Sequence, residues 1–144
     1  MMEMENLKVY DFEVFKALVE IEVKRIERYK KSEKFSIAFM YFPSITNILV
    51  KNKPKDFIGP VFKLRESIRS VDVISPVDED FVFLFFPETG KKETEKIINR
   101  IRDLVKLNII EGIASYPEDG KSSRELFDKL VKDMNDKLLP VINI

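Results

Sequence analysis

The residues best placed to do chemistry are the acids of Asp78-Glu79-Asp80, on a turn between two apolar stretches, Val71–Ser75 and Phe81–Phe86. An acidic turn at the mouth of a buried strand is where a divalent cation or a nucleotide would be held. Three acids on one turn also repel, and a single turn seldom supplies the oxygen set of a tight Ca²⁺ site. The competing reading is therefore a solvated turn. The rest of the repertoire is narrow. With no Cys and no His, disulfides, thiolate nucleophiles, zinc sites and a His general base all drop out. Carboxylates, amines, guanidinium groups and phenols remain.

The overall balance excludes further classes. Lys+Arg and Asp+Glu both number 25, so no global field draws the chain to nucleic acid or to a membrane surface. Hydrophobic residues make up 44% and charged residues 35% of 144 residues, which is the balance of one folded domain spanning 1–144. The acidic N-terminus has no apolar core of a signal peptide, and no apolar run reaches the length of a membrane span. A cytoplasmic location is expected. The sequence sets no oligomeric state.

The elements that must position the acidic turn follow from periodicity. Val14, Phe15, Leu18, Val19, Ile21 and Ile26 form a helical stripe over 11–31, with Asp11 as N-cap. Phe35–Phe42 is apolar on both faces apart from Ser36, and so is Phe81–Phe86. Strands of that kind lie in the middle of a covered sheet. Val71–Ser75 alternates around Asp72, predicting a strand with one wet face, and Glu111 interrupts a further strand over 108–116. Helices are predicted at 60–70, opened by Pro60, and at 91–106. A third is predicted at 122–138, opened by the capping box Ser122-x-x-Glu125 and stopped by Pro140, with a short strand in the last four residues. The basic Lys51–Lys55 stretch reads as a solvated loop. After the first helix the order is β-α-β-β-α-β and then a helix. This is an α/β (α+β), ferredoxin-like arrangement with the first and third strands central. It brings Tyr41–Pro43 beside Asp78–Phe81.

From about Phe15 to Lys137 the chain resembles the GGDEF domain, the nucleotidyl-cyclase-like fold of diguanylate cyclases. The resemblance is carried by Arg69-Ser-Val-Asp72, Val77-Asp-Glu-Asp-Phe81, Pro87-Glu-Thr89 and Glu111-Gly-Ile-Ala-Ser-Tyr-Pro-Glu-Asp-Gly120. In the last of these, Gly, Ala, Pro, Asp and Gly all fall at the family's spacing.

The resemblance also marks departures. In the family a strand-end Asp and the third position of the signature hold two metal ions, which neutralise a triphosphate and activate a hydroxyl. Here the strand-end Asp is Tyr41, the next family Asp is Pro43, and the two signature glycines are Val77 and Asp78. Glu79 keeps one ligand position. The guanine-reading Asn aligns near Leu49, and Leu138 falls near the phosphate-binding Lys. The resemblance thus implies a degenerate member with no cyclase activity, no metal and no cofactor, serving as a signalling, regulatory or interaction module with a protein partner. The alternative it implies is a cyclic di-GMP receptor. Arg69 and Asp72 match the family's product-binding motif, in which Arg grips a guanine edge through paired hydrogen bonds. Both are expected to face solvent. Arg at a helix C-terminus and Asp on an edge strand also occur for structural reasons alone.

Overall fold

Each of the two apolar stretches buries alternate side chains on opposite sides of one sheet. In the computed structural model, which describes residues 10–29, 33–43, 64, 68–69, 71–78, 80–106 and 108–142, β1 is Phe35–Tyr41 and β3 is Phe81–Pro87. With β2 (Val73–Asp78) and β4 (Ile110–Tyr116) they form an antiparallel sheet of order β2-β3-β1-β4. The two apolar strands are central, as their patterns require. Their register sets Tyr41 opposite Phe81 and Phe35 opposite Pro87.

Helix α1 (Phe12–Tyr29) and helix α3 (Ser123–Ile142) cover one face, where Phe15, Phe35, Phe39, Phe85 and Leu130 meet. Helix α2 (Lys91–Val105) covers the other, packing Ile98 and Ile101 on Ala38, Leu84 and Phe86. Local chemistry starts α1 and α3 as expected. Asp11 Oδ1 accepts from the Val14 N–H at 2.9 Å, and Ser122 Oγ accepts from the Glu125 N–H at 3.1 Å. Such caps satisfy amide groups that have no intrahelical partner. Lys106 closes α2 in the left-handed conformation, φ 55°.

Two expectations need correction. The strand predicted over 71–75 begins at Val73 and runs through Pro76 to Asp78, with an irregularity at Val77. Pro is tolerated there because β2 is an edge strand. β2 thus reaches Asp78, and Asp80 is the described residue just before β3. Helix α3 continues through Pro140 to Ile142, replacing the expected stop and the start of a last strand. Pro140 gives up one i→i−4 bond, and only Val141 and Ile142 follow it in the helix. The helix predicted at 60–70 lies outside the described residues except for Leu64, which is helical and fully buried, and for Ile68 and Arg69. Leu49, Lys51–Lys55, Pro60 and Glu79 also lie outside them.

Candidate functional site

Arg69 and Asp72 come together, but not as two solvent-facing groups. Asp72 is 2% exposed. Its backbone N–H donates to Arg69 O at 3.0 Å, while its Oδ2 accepts from the Arg69 N–H at 2.8 Å. The guanidinium closes over the same carboxylate, with Nη2 at 3.0 Å from Oδ1. Nη2 also lies 2.6 Å from Pro87 O and 2.8 Å from Thr89 Oγ1. Thr89 is itself buried, and its carbonyl accepts from Ser36 Oγ, which meets Ser115 Oγ at 2.7 Å. The expectation that Asp72 faces water is thus corrected. Placed just before the strand rather than in it, Asp72 folds inward onto the backbone of the preceding turn. The Arg69 side chain stays half exposed.

An exposed ion pair flanks this corner. Lys34 Nζ pairs with Glu93 at 3.0 Å. That bond, the backbone bond at Gly90, and the charges of Lys34 and Arg69 hold the Glu93 carboxyl below its usual range. A planar guanidinium locked by a buried carboxylate presents a fixed face to an anion or a stacked base.

At the junction of β1 and β3, Tyr41 is half-buried and joins the α1/α3 core, its ring 6.4 Å from that of Phe81. Phe39 stacks on Phe81 at 5.6 Å. The Phe42 N–H donates to Asp80 O at 2.8 Å, tying the strand end to the turn. Aromatic side chains thus occupy the junction to which the sequence directs attention. Among the described residues no three acids gather into a cation site.

A second concavity was not anticipated. It lies along the outer edge of β4, between α2 and α3, with a volume of about 340 Å³. Lys91, Glu95 and Asn99 line it from α2, and Lys129, Asp133 and Lys137 from α3. Both sets repeat every four residues, a periodicity that places them on one helix face. The signal was in the sequence, but only the topology shows that the two stripes face one strand edge. At one end Lys91 pairs with Asp119 at 2.8 Å. Burial pushes the Asp119 carboxyl up, but bonds from Lys91 and the Ser115 N–H, with the charges of Lys91 and Lys129, outweigh it and hold the group below its usual range.

No protein-family model matches the chain, and no curated protein matches it. Solved structures do. The GGDEF domain of YfiN (TpbB) from Pseudomonas aeruginosa superposes with a TM-score of 0.77 at 14% identity, over 91% of this chain and 86% of that one. A DGC protein from Thermotoga maritima gives 0.66 at 21% identity, over 88% and 97%. The GGDEF domain of DgcB from Caulobacter crescentus, solved in complex with c-di-GMP, gives 0.69 at 8% identity, over 86% and 82%. The chain has the GGDEF-domain fold. On that fold the β2–β3 hairpin, which carries the signature in the family, here reads Val77-Asp-Glu-Asp-Phe81. The Arg69–Asp72 corner of this GGDEF fold stands at the opposite end of β3, beside Pro87 and Thr89.

Proposed function

We propose that this chain is a GGDEF-fold signalling or regulatory module that makes no cyclic di-GMP and acts through a protein partner. The observation that carries this reading is Tyr41. A phenol packed on Phe81 stands where the resemblance implies a metal-binding carboxylate. A neutral aromatic group cannot neutralise a triphosphate or bring a hard cation to it. Calorimetric titration with GTP and Mg²⁺ tests the point. No saturable heat is expected, whereas micromolar, Mg²⁺-dependent binding would overturn the reading.

A second reading, a cyclic di-GMP receptor, is favoured by the half-exposed, rigidly held guanidinium of Arg69. The similarity to the DgcB domain, solved with c-di-GMP, supports the same reading. In this case Asp72 is a positioning residue, buried behind the Arg, and the Arg meets the guanine edge. Titration with cyclic di-GMP decides. Binding that weakens at least tenfold, about 1.4 kcal/mol, in Arg69→Lys supports a receptor. Binding unchanged in that variant places the ligand elsewhere.

A further inference from the structure

Helix α1 is apolar on two sides. Phe15, Val19, Val23 and Ile26 are buried in the core that the helix shares with the sheet and α3. Val14, Ala17, Leu18 and Ile21 recur at helical spacing on another side. Val14 is 41% exposed and Ile21 60%. Ala17 is exposed as well, and Leu18 at the border packs partly on the core. A helix lying on a sheet needs only the first of these stripes, and its outer face is ordinarily polar. Here the middle of the outer face is apolar from Val14 to Ile21.

Charge changes sign along that face. Asp11 and Glu13 precede the apolar stripe, Lys24 and Arg28 follow it, and all four are exposed. Glu13 meets Lys16, and Glu20 meets Lys24, at 3.5 Å each, between side chains largely in water. Such pairs hold weakly and are free to exchange partners. Arg25, by contrast, is committed to Glu22 and Glu33. A patch that is acidic at one end, apolar in the middle and basic at the other complements itself when turned end for end. A two-fold interface brings identical patches together in that way. Rotation about an axis near Ala17 and Leu18 sets Val14 against Ile21 of the second copy. It also sets Lys24 beside Glu13 of the second copy, because the helical period places both on one flank of the stripe. The small side chain of Ala17 lets the helices approach, and their opposed dipoles attract. A parallel pairing would set like charges together, and a partner of one sign would leave one end of the patch unmatched.

We propose that two copies of this chain associate through α1, antiparallel, about a two-fold axis near Ala17. One helix from each copy covers less than the standard interface of about 800 Å² per partner. The dimer is therefore weak and forms as concentration rises.

The experiment is sedimentation velocity of the full chain from about 10 µM to about 1 mM, the range of weak specific association. Monomer should pass to dimer across that range, and Ile21→Glu should stay monomeric throughout. The charges then report the orientation. Glu13→Lys and Lys24→Glu should each weaken dimerisation about tenfold, since symmetry makes every reversal act twice. Glu13→Lys/Lys24→Glu should restore it, because the reversed pair attracts again. Both positions are exposed, and an unchanged circular dichroism melt checks that each variant keeps the fold. A chain still monomeric at about 1 mM would overturn the proposal. A dimer indifferent to Ile21→Glu would overturn it too, because the contact would lie on another surface. So would a dimer that neither single reversal weakens, or that the double reversal does not restore, since the helices would then not lie antiparallel.

Discussion

Replacing Arg69 with Ala removes a guanidinium that bonds to Asp72, Pro87 and Thr89 and leaves the carboxylate of Asp72 behind. Asp72 has a side chain only 1% exposed, so the variant buries a charge without its counter-ion. Losing one partner of a buried ion pair typically costs about 3–5 kcal/mol. Half of the Arg69 side chain is in water, however, which screens its share of the attraction. The Arg69 N–H also survives as a donor to Oδ2 at 2.8 Å. Together these reduce the expected loss to about 2–4 kcal/mol. Asp72→Asn should cost less, about 1–2 kcal/mol, since the amide oxygen can still accept from that N–H. Urea unfolding followed by circular dichroism measures both. For a small domain with a slope of about 1–3 kcal/mol per molar urea, Arg69→Ala should lower the midpoint by roughly 1–2 M. The double variant Arg69→Ala/Asp72→Asn should be more stable than the two single losses added together, because the stranded charge is gone. A loss below about 0.5 kcal/mol in Arg69→Ala, the scale of an ordinary surface change, would refute the reasoning. It would show that the corner does not fasten the turn before β2 to the end of β3.

Two other perturbations follow from the geometry. A Cβ on Gly112 would clash with Cε2 of the Phe39 ring, and Phe39 is fully buried in the stack on Phe81. Gly112→Ala should therefore cost about 1–3 kcal/mol by overpacking, read as a lowered melting temperature, with partial recovery in Gly112→Ala/Phe39→Leu. Asp119 has a depressed carboxyl pKa in the folded chain, so as pH falls the unfolded chain takes up its proton first. Its stabilisation is complete above the unfolded Asp value of about 3.9 and is lost as pH falls through the folded value. Urea midpoints measured from neutral to acid pH should show Asp119→Asn less stable than the parent near neutrality, with the gap closing in acid.

The sheet was legible because burial on both faces leaves a continuous apolar run, and Phe35–Phe42 and Phe81–Phe86 are such runs. Helix starts were legible at Asp11 and Ser122, where a side-chain oxygen has one evident local role. Asp72 was misread because alternation around it resembled a wet-faced strand, whereas it precedes the strand and is consumed by Arg69 and the turn. Nothing local distinguishes an acid that faces water from one that folds back onto its own backbone. Pro140 was read as a stop, yet it forfeits a single i→i−4 bond with only Val141 and Ile142 after it, and β2 runs through Pro76 because an edge strand tolerates a missing N–H. The β4 cleft was invisible for a different reason. Its two stripes lie on different helices far apart in sequence, and only the strand order makes them opposite walls.

The proposed loss of cyclase chemistry rests on the end of β1, where Tyr41 stands against Phe81. It is tested by incubation of the purified chain with GTP and Mg²⁺ or Mn²⁺, followed by chromatography for cyclic di-GMP. No product above a protein-free control is expected. Product that forms with the wild-type chain and disappears in Glu79→Ala would contradict this, because one signature carboxylate would then suffice to hold the catalytic metal.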